Sequence, residues 1–493
     1  MPFIALNPDN RGYICRVRKQ KKPIILEQVL VEDYAAEGKS LARVDGKVVF
    51  IEGAVPGDVV DIRLGKNKQD WAEGQAIQIR EYSKDRVQPF CDHFGICGGC
   101  QWQMLPYEKQ LAYKQRQVSD NLTRIGRISL PAIAPIVGAE QTRHYRNKME
   151  YTFATRKFIP SDQFRKMKEE GIDPDAQPGA AGFHVRGFFD KVVEIDTCHL
   201  QDEPTNLIRK AVAAFGLEHC MPFYDIKRHT GWLRNMFVRN TTTGELMINL
   251  VLGYEDKVRR IQLLDQLLQQ FPQITTLLYT INGKRNDSLY DLDPQVYQGK
   301  GYIYEQLEDF RFKISPKSFF QTNTRQAEKL YSITREYAEL DGSQVVYDLY
   351  CGTGSIGIFL SRGAKKVVGV EVVEDAIADA KENAALNGLD HTAFFAGDVI
   401  DICDDAFFEQ HGKPDVVITD PPRAGMHEKL VKKLLDIAAP TVVYVSCNPA
   451  TQARDLALLN EKYNVEKIQP VDMFPHTLHI ENIAQLKLKE EYR

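Results

Sequence analysis

The sequence contains no run of about 18 uninterrupted apolar residues, the length a membrane-spanning helix needs. It also lacks the pattern of a secretory leader, because in MPFIALNPDNRGYICRVRKQKK the basic residues follow a short apolar patch, the reverse of a signal peptide. A cytoplasmic protein with no membrane partner is the expectation. In that compartment the nine cysteines are expected as thiols or metal ligands rather than disulfides. A large net charge is missing too: the formal balance is -4 over 493 residues, which by itself suggests no polyanionic partner. No internal repeat is evident.

What is present is the composition of an ordinary globular chain, 43% hydrophobic and 26% charged, long enough for roughly three domains. Its charge is uneven. Residues 1–170 carry 28 Lys and Arg against 21 Asp and Glu, a balance of +7, whereas residues 171–493 carry 35 against 46, a balance of -11. Nucleic-acid contact is therefore expected in the N-terminal part. Six of the twelve residues from Arg11 to Lys22 are basic and none is acidic, which reads as a basic arm or as a solvated tail.

Residues 23–84 read as about five short strands with turn signals at Asp45-Gly46, Gly53, Pro56-Gly57 and Gly65, the pattern of a small OB-like barrel. Residues 85–325 mix helices and strands in an α+β central domain, with a polar stretch between Arg156 and Gly182 that reads as a mobile insertion. From 326 to 493 apolar strands alternate with amphipathic helices: VVYDL, KVVGVE, VVITD, TVVYVSCNP. That alternation predicts an α/β, Rossmann-like parallel sheet with ligands at the carboxyl ends of its strands.

The unusual residues of this last region all fall at such ends. DLYCGTGSIG places Gly352, Gly354 and Gly357 in a strand-to-helix turn, and Glu371 closes the next strand, a pairing that suits a nucleotide's phosphates or sulfonium arm and its ribose hydroxyls. Taken alone it fits a nicotinamide dinucleotide as well as S-adenosylmethionine. The stretch TDPPRAG favours the latter, because Asp420 and two prolines stand where a methyltransferase holds its acceptor. Methylation of an exocyclic amino group calls for an aromatic residue after the prolines, but Arg423 follows. A carbon acceptor such as C5 of uracil needs prior activation, which a thiolate adding at C6 supplies. Cys447 in SCNP is placed to be that nucleophile. A base must then remove the C5 proton, and FPHTLHIEN offers His476, His479 and Glu481.

A second constellation is CDHFGICGGC, in which Cys91, Cys97 and Cys100 are spaced C-x5-C-x2-C, with Cys198 further on in DTCHLQ. Four thiolates suit zinc and an iron–sulfur cluster alike. Cys15, Cys220, Cys351 and Cys403 read as packing residues.

SPKSFFQTN, DLYCGTGSIG, TDPPRAG, SCNP and MFPHTLHIE resemble the signature stretches of the RNA uracil-5-methyltransferase family, and the layout from about residue 23 onward resembles its ribosomal RNA branch. That resemblance implies transfer of a methyl group from S-adenosylmethionine to C5 of a uridine in a 23S ribosomal RNA loop. In it Cys447 is the nucleophile and Glu481 the base, while Gln321, Tyr350, Gly352, Gly354, Glu371, Asp398 and Asp420 bind the cofactor. It further implies a [4Fe–4S] cluster on Cys91, Cys97, Cys100 and Cys198, an N-terminal TRAM barrel and a monomer. The rival expectations are 5-methyluridine formation in tRNA, methylation of a guanine amino group, and a non-catalytic RNA-binding iron–sulfur protein.

Overall fold

A strand covered on both faces has no solvent side, so its residues are apolar in succession rather than in alternation. In the computed structural model, which describes residues 23–35, 38–174 and 178–493, the inner strands of the C-terminal sheet follow that rule and its two edge strands keep exposed positions. The strands are β1 (Val345–Leu349), β2 (Lys366–Glu371), β3 (Thr392–Ala396), β4 (Val416–Thr419), β5 (Thr441–Ser446), β6 (Tyr463–Val471) and β7 (Glu481–Leu488). Every residue of β4 and β5 is buried. The sheet order is β3-β2-β1-β4-β5-β7-β6. β1 to β5 run parallel, and β7 enters antiparallel between β5 and β6. This is the expected Rossmann-like sheet, and its order reverses between β1 and β4, where a crevice opens at the carboxyl ends. Pro470 lies on the outermost strand of the sheet, β6, the edge position in which proline is tolerated.

Two hydrophobic clusters cover the faces of this sheet. One takes in the hairpin Ile303–Leu307/Phe310–Ile314 and helix Thr324–Ala338. The other takes in helices Glu428–Ile437 and Pro449–Leu459 and, from far away in the chain, Val118 and Leu122 at the end of helix Tyr107–Asn121. Ala134 and Val137 donate their backbone N–H groups to the carbonyls of Ile468 and Pro470, both at 3.0 Å. Parts of the stretch read from sequence as a central domain, residues 107–137 and the hairpin after 302, therefore pack on the C-terminal sheet. Apolar spacing in a helix announces a buried face without saying which sheet buries it.

The remainder of that stretch forms its own seven-stranded sheet, in the order Gln295–Gln298, Thr276–Ile281, Leu246–Leu252, Leu233–Asn240, Lys148–Ala154, Ala180–His184, Val192–Glu194. Helices Thr205–Glu218 and Lys257–Gln270 bury Phe215, Leu263 and Leu267 in its core. The polar stretch 156–182 is not wholly an appendage. Helix Ser161–Glu169 buries nothing, but Ala180, Ala181 and Gly182 are buried and pair with Thr152 to Ala154 in the sheet.

Contacts divide the chain between Asp85 and Arg86 into two compact units. Among the described residues of the first, six strands rather than about five form one sheet, ordered Ile25–Leu30, Val59–Asn67, Trp71–Glu81, Lys47–Glu52, Ser40–Val44, Asp33–Tyr34; the extra strand is the two-residue Asp33–Tyr34. Val49, Ile51, Val60 and Ile62 are at its core. The basic run Arg11–Lys22 and Cys15 lie outside the described residues. Among the described residues no helix is long and apolar enough to cross a membrane.

Candidate active site

Leaving β1, the chain must turn at once into helix Ser355–Leu360, and it does so through the left-handed region at Tyr350 (φ 61°), Gly352 (53°) and Gly354 (75°). At Gly354 no side chain fits, since a Cβ would stand 2.9 Å from the Phe394 ring. Glu371, the last residue of β2, accepts the N–H of Gly352 at 3.3 Å and of Val373 at 3.1 Å, so its carboxylate is held beside the turn. Asp398, exposed beyond β3, caps the short helix Val399–Ile402 by accepting the Ile400 N–H. The charges of Asp398 and Glu371 both act on the Tyr350 phenol, whose pKa burial pushes up. Gln321 comes from outside the sheet. Its carbonyl accepts from Asn147 Nδ2 at 2.9 Å, Thr353 of the turn bonds the carbonyl of nearby Phe319, and no hydrogen bond within the described chain occupies its carboxamide.

Cys447 follows β5 as Asp420 follows β4. β5 and β7 are antiparallel with Ser446, the last residue of β5, opposite Asn482, so Cys447 leaves β5 at the same end of the pair at which Glu481 begins β7. Thiol and carboxyl are thereby near enough for the Glu481 charge to act on the Cys447 thiol. Glu481 is 6% exposed, and burial, with the Asp420 carboxyl next, holds its pKa well above the usual carboxylate range. Burial also raises Asp420. The Cys447 thiol is pushed up to about 11, first by burial and then by the charges of Glu481 and Asp420, while the Arg423 guanidinium acts the other way. Since only the thiolate reacts, alkylation of resting Cys447 by iodoacetamide is expected to quicken roughly tenfold per pH unit from pH 7 to 9 without a plateau. Peptide mapping at each pH checks this; a plateau below pH 9 would contradict it.

Two residues of the site carried no assigned role in the sequence. Arg423 entered only as the absence of an aromatic, yet its carbonyl is fixed by Asn448 Nδ2 at 3.0 Å and Thr451 Oγ1 at 3.3 Å, and its charge reaches Cys447 and Glu481. Asp348 is fully buried, accepts the Gly357 N–H at 2.8 Å, and is pushed up to about 7 by burial. Its signal was a lone carboxylate inside the apolar strand VVYDL.

The two histidines near Glu481 are placed differently from it. His476 is buried with φ 66°, and its N–H donates to Gln110 Oε1 at 2.9 Å while its ring lies 3.1 Å from Gln110 Nε2. His479 lies 3.4 Å from the Arg423 guanidinium. Burial pushes the His476 imidazole down to about 4, which keeps it neutral and a poor base near pH 7, and the more exposed His479 is lowered in the same direction.

Cys91, Cys97, Cys100 and Cys198 line a single cavity of about 370 Å³, together with Arg146, Thr477 and His479. All four are free thiols. Burial first, and then the neighbouring thiols, push Cys100 up to about 12 and Cys198 to about 11. Thiolates gathered in such a place repel one another unless a cationic group neutralises them, which is the chemistry of a soft metal site. Among the described residues, no group of three or more His, Cys, Asp or Glu side chains is drawn together as a single metal ion would hold them.

A parallel sheet with a glycine turn after β1, a carboxylate closing β2 and an acidic residue after β4 defines the class of Rossmann-like methyltransferases. Comparison with known proteins narrows this. Residues 405–489 match the tRNA (Uracil-5-)-methyltransferase family, residues 334–442 the methyltransferase small domain, and residues 27–77 the TRAM domain. An uncharacterized RNA methyltransferase of Bacteroides thetaiotaomicron is 50% identical over 459 residues, covering 92% of this chain and all of the relative, and another from Chlorobaculum tepidum is 40% identical over 95% of this chain and 97% of the relative. The crystal structure of Pyrococcus abyssi tRNA (uracil-54, C5)-methyltransferase in complex with S-adenosyl-L-homocysteine covers 93% of this chain and 100% of that one, with a TM-score of 0.71 and 28% identity. The chain belongs to the RNA uracil-5-methyltransferase family and is an S-adenosylmethionine-dependent RNA methyltransferase with an N-terminal TRAM domain.

Proposed function

We propose that the protein methylates C5 of one or more uridines in an RNA loop through a covalent bond between Cys447 and uracil C6. The observation that supports this reading is that Cys447, just after β5, and the buried Glu481, at the start of β7, lie at one end of the same antiparallel pair and that the Glu481 charge acts on the thiol. The thiolate adds to C6, and the resulting enolate attacks the sulfonium methyl group from C5, releasing S-adenosylhomocysteine. Glu481 then takes the C5 proton, and the electron pair of that C–H bond restores the C5–C6 double bond as the sulfur leaves. A carboxyl raised by burial is matched to that task. Gln321, Tyr350, Gly352, Gly354, Glu371, Asp398 and Asp420 form the cofactor's side of the site, and the buried carboxyls around it suit a ligand that carries a sulfonium charge. The target base is reached only when unstacked, so a loop rather than a duplex is the substrate.

The preferred substrate is 23S ribosomal RNA, on the resemblance of the whole layout to that branch. One observation favours transfer RNA instead: the archaeal enzyme whose name gives uracil 54 of tRNA as its target matches along its entire length. Nucleoside mass spectrometry of the separated RNAs from cells lacking the protein decides between them. Loss of 5-methyluridine from 23S RNA supports the first reading, loss from tRNA the second, and loss from neither rejects uridine C5 methylation.

Cys91, Cys97, Cys100 and Cys198 are the residues that would hold a [4Fe–4S] cluster, whose net cationic iron offsets their thiolate charge. Protein purified without air is expected to contain about four iron per chain and a broad visible charge-transfer band, both lost in Cys97→Ser together with some thermal stability. Stoichiometric zinc in protein prepared without air would overturn this assignment.

A further inference from the structure

The nine residues from Asp472 to Ile480 join β6 to β7, and Glu481 stands at their end, paired across the ladder with Val471. A surface connection of that length is ordinarily the most mobile part of a sheet. This one is tied down by a helix more than 350 residues earlier in the sequence. On helix Tyr107–Asn121, positions 107, 110 and 114 share one face. The Asp472 carboxylate takes Lys114 Nζ at 2.7 Å and the Tyr107 hydroxyl at 2.8 Å, and both members of the ion pair are fully buried. Lys114 Nζ also reaches the Phe474 carbonyl at 3.2 Å.

His476 is held at both ends. Its N–H and ring meet Gln110, and its carbonyl accepts the N–H groups of Gln101 and Trp102 at 2.9 and 3.1 Å. The left-handed backbone of His476 is uncommon for a residue other than glycine, and the bonds on either side of it hold it there. Gln110 in turn donates to the carbonyls of Trp102 and Leu105, so the backbone just after Cys100 and the base loop share one clamp. The strands themselves do not need it: Ile468, Val471, Ile483 and Leu486 are already buried in the catalytic core. What the clamp adds is the place of the loop's end.

We propose that Gln110 and Lys114 are positioning residues for Glu481, fixing through His476 and Asp472 the loop that sets the carboxyl near Cys447. The inference rests on the covalent reading given above, and its test separates the two. Wild type, Gln110→Leu and Glu481→Gln are incubated with RNA and methyl-labelled S-adenosylmethionine, and the labelled covalent band is measured on a denaturing gel beside turnover and cofactor affinity. Gln110→Leu is expected to lose turnover by up to about 100-fold, as a small misplacement of a catalytic group does, with cofactor affinity within about twofold of wild type and a labelled band well above the wild-type level. Gln110→Glu, which keeps the acceptor for the His476 N–H, should recover part of the rate and show less band.

The proposal is overturned if Gln110→Leu turns over normally, if cofactor affinity falls in step with rate, or if it loses rate without the band that Glu481→Gln displays. A band in neither variant rejects the covalent reading and this inference with it. Should Gln110→Leu fail to fold, the pair Lys114→Met/Asp472→Asn removes both buried charges together, and the same outcomes apply to it.

Discussion

Cys447→Ala is expected to abolish methyl transfer, with turnover below about a hundredth of wild type, while S-adenosylmethionine affinity stays close to normal. The separation follows from where the residues lie. The thiol stands after β5, whereas the glycine turn after β1 and Glu371 at the end of β2 meet each other through their own hydrogen bonds and make none to Cys447. Uracil C5 is too weak a nucleophile to take the methyl group unaided, so losing the thiol removes the step that activates it rather than slowing one among several. Cys447→Ser should be equally inactive, because an alcohol is far harder to ionise than even a thiol raised to about 11. Isothermal titration with S-adenosylhomocysteine and a filter assay of methyl incorporation measure the two quantities. Retention of more than about a hundredth of the rate in Cys447→Ala would rule out this nucleophile.

The parts of this site that the sequence announced are those whose chemistry is local. A run such as TVVYVS predicts a strand covered on both faces, and the first polar residues after it predict a strand end, so Cys447, Asp420 and the glycine turn could be placed on one edge before any coordinates. The same reasoning failed where partners are far apart in the chain. Lys114 and Asp472 are 358 residues apart, and nothing in YEKQLAYKQRQ distinguishes the buried Lys114 from the exposed Lys109. Burying that pair is costly, and removing one partner alone leaves an uncompensated charge worth about 3–5 kcal/mol. Spacing likewise could not say that helix Tyr107–Asn121 leaves its own neighbours to pack on the catalytic sheet.

Residue type alone left His476, His479 and Glu481, which lie within six positions, as candidate bases, and the family resemblance was what favoured Glu481. In the fold Glu481 begins β7 at the end where Cys447 leaves β5, while His476 is occupied by Gln110 and the backbone after Cys100. The polar stretch 156–182 misled. Its Gly and Pro content hid the start of strand Ala180–His184, whose small residues sit where Gly182 admits no side chain: a Cβ there would lie 2.1 Å from the Val193 carbonyl.

Glu481→Gln is expected to stop the reaction one step later than Cys447→Ala, and the difference is visible as a product. The amide keeps the size of the carboxyl but cannot accept the C5 proton, so elimination fails after addition and methyl transfer have occurred. Addition itself should not be impaired, because the Glu481 charge is one of the groups holding the thiol up; without it the thiol pKa moves down toward its ordinary value and the thiolate becomes more available. The variant should therefore accumulate as a covalent complex with methylated RNA through Cys447, a slow band on a denaturing gel that carries the methyl label, and should release about one methylated uridine or fewer per chain. Alkylation of Cys447 in this variant should be faster than in wild type at the same pH. His479→Gln should give no such band, since it leaves both Glu481 and the Gln110–His476 contacts in place; His476→Gln, which keeps the backbone bonds to Gln110 and Trp102, should give at most a weaker one. If Glu481→Gln turns over normally, or if a histidine variant traps the complex instead, the base is the imidazole and Cys447 and Glu481 are not the catalytic pair.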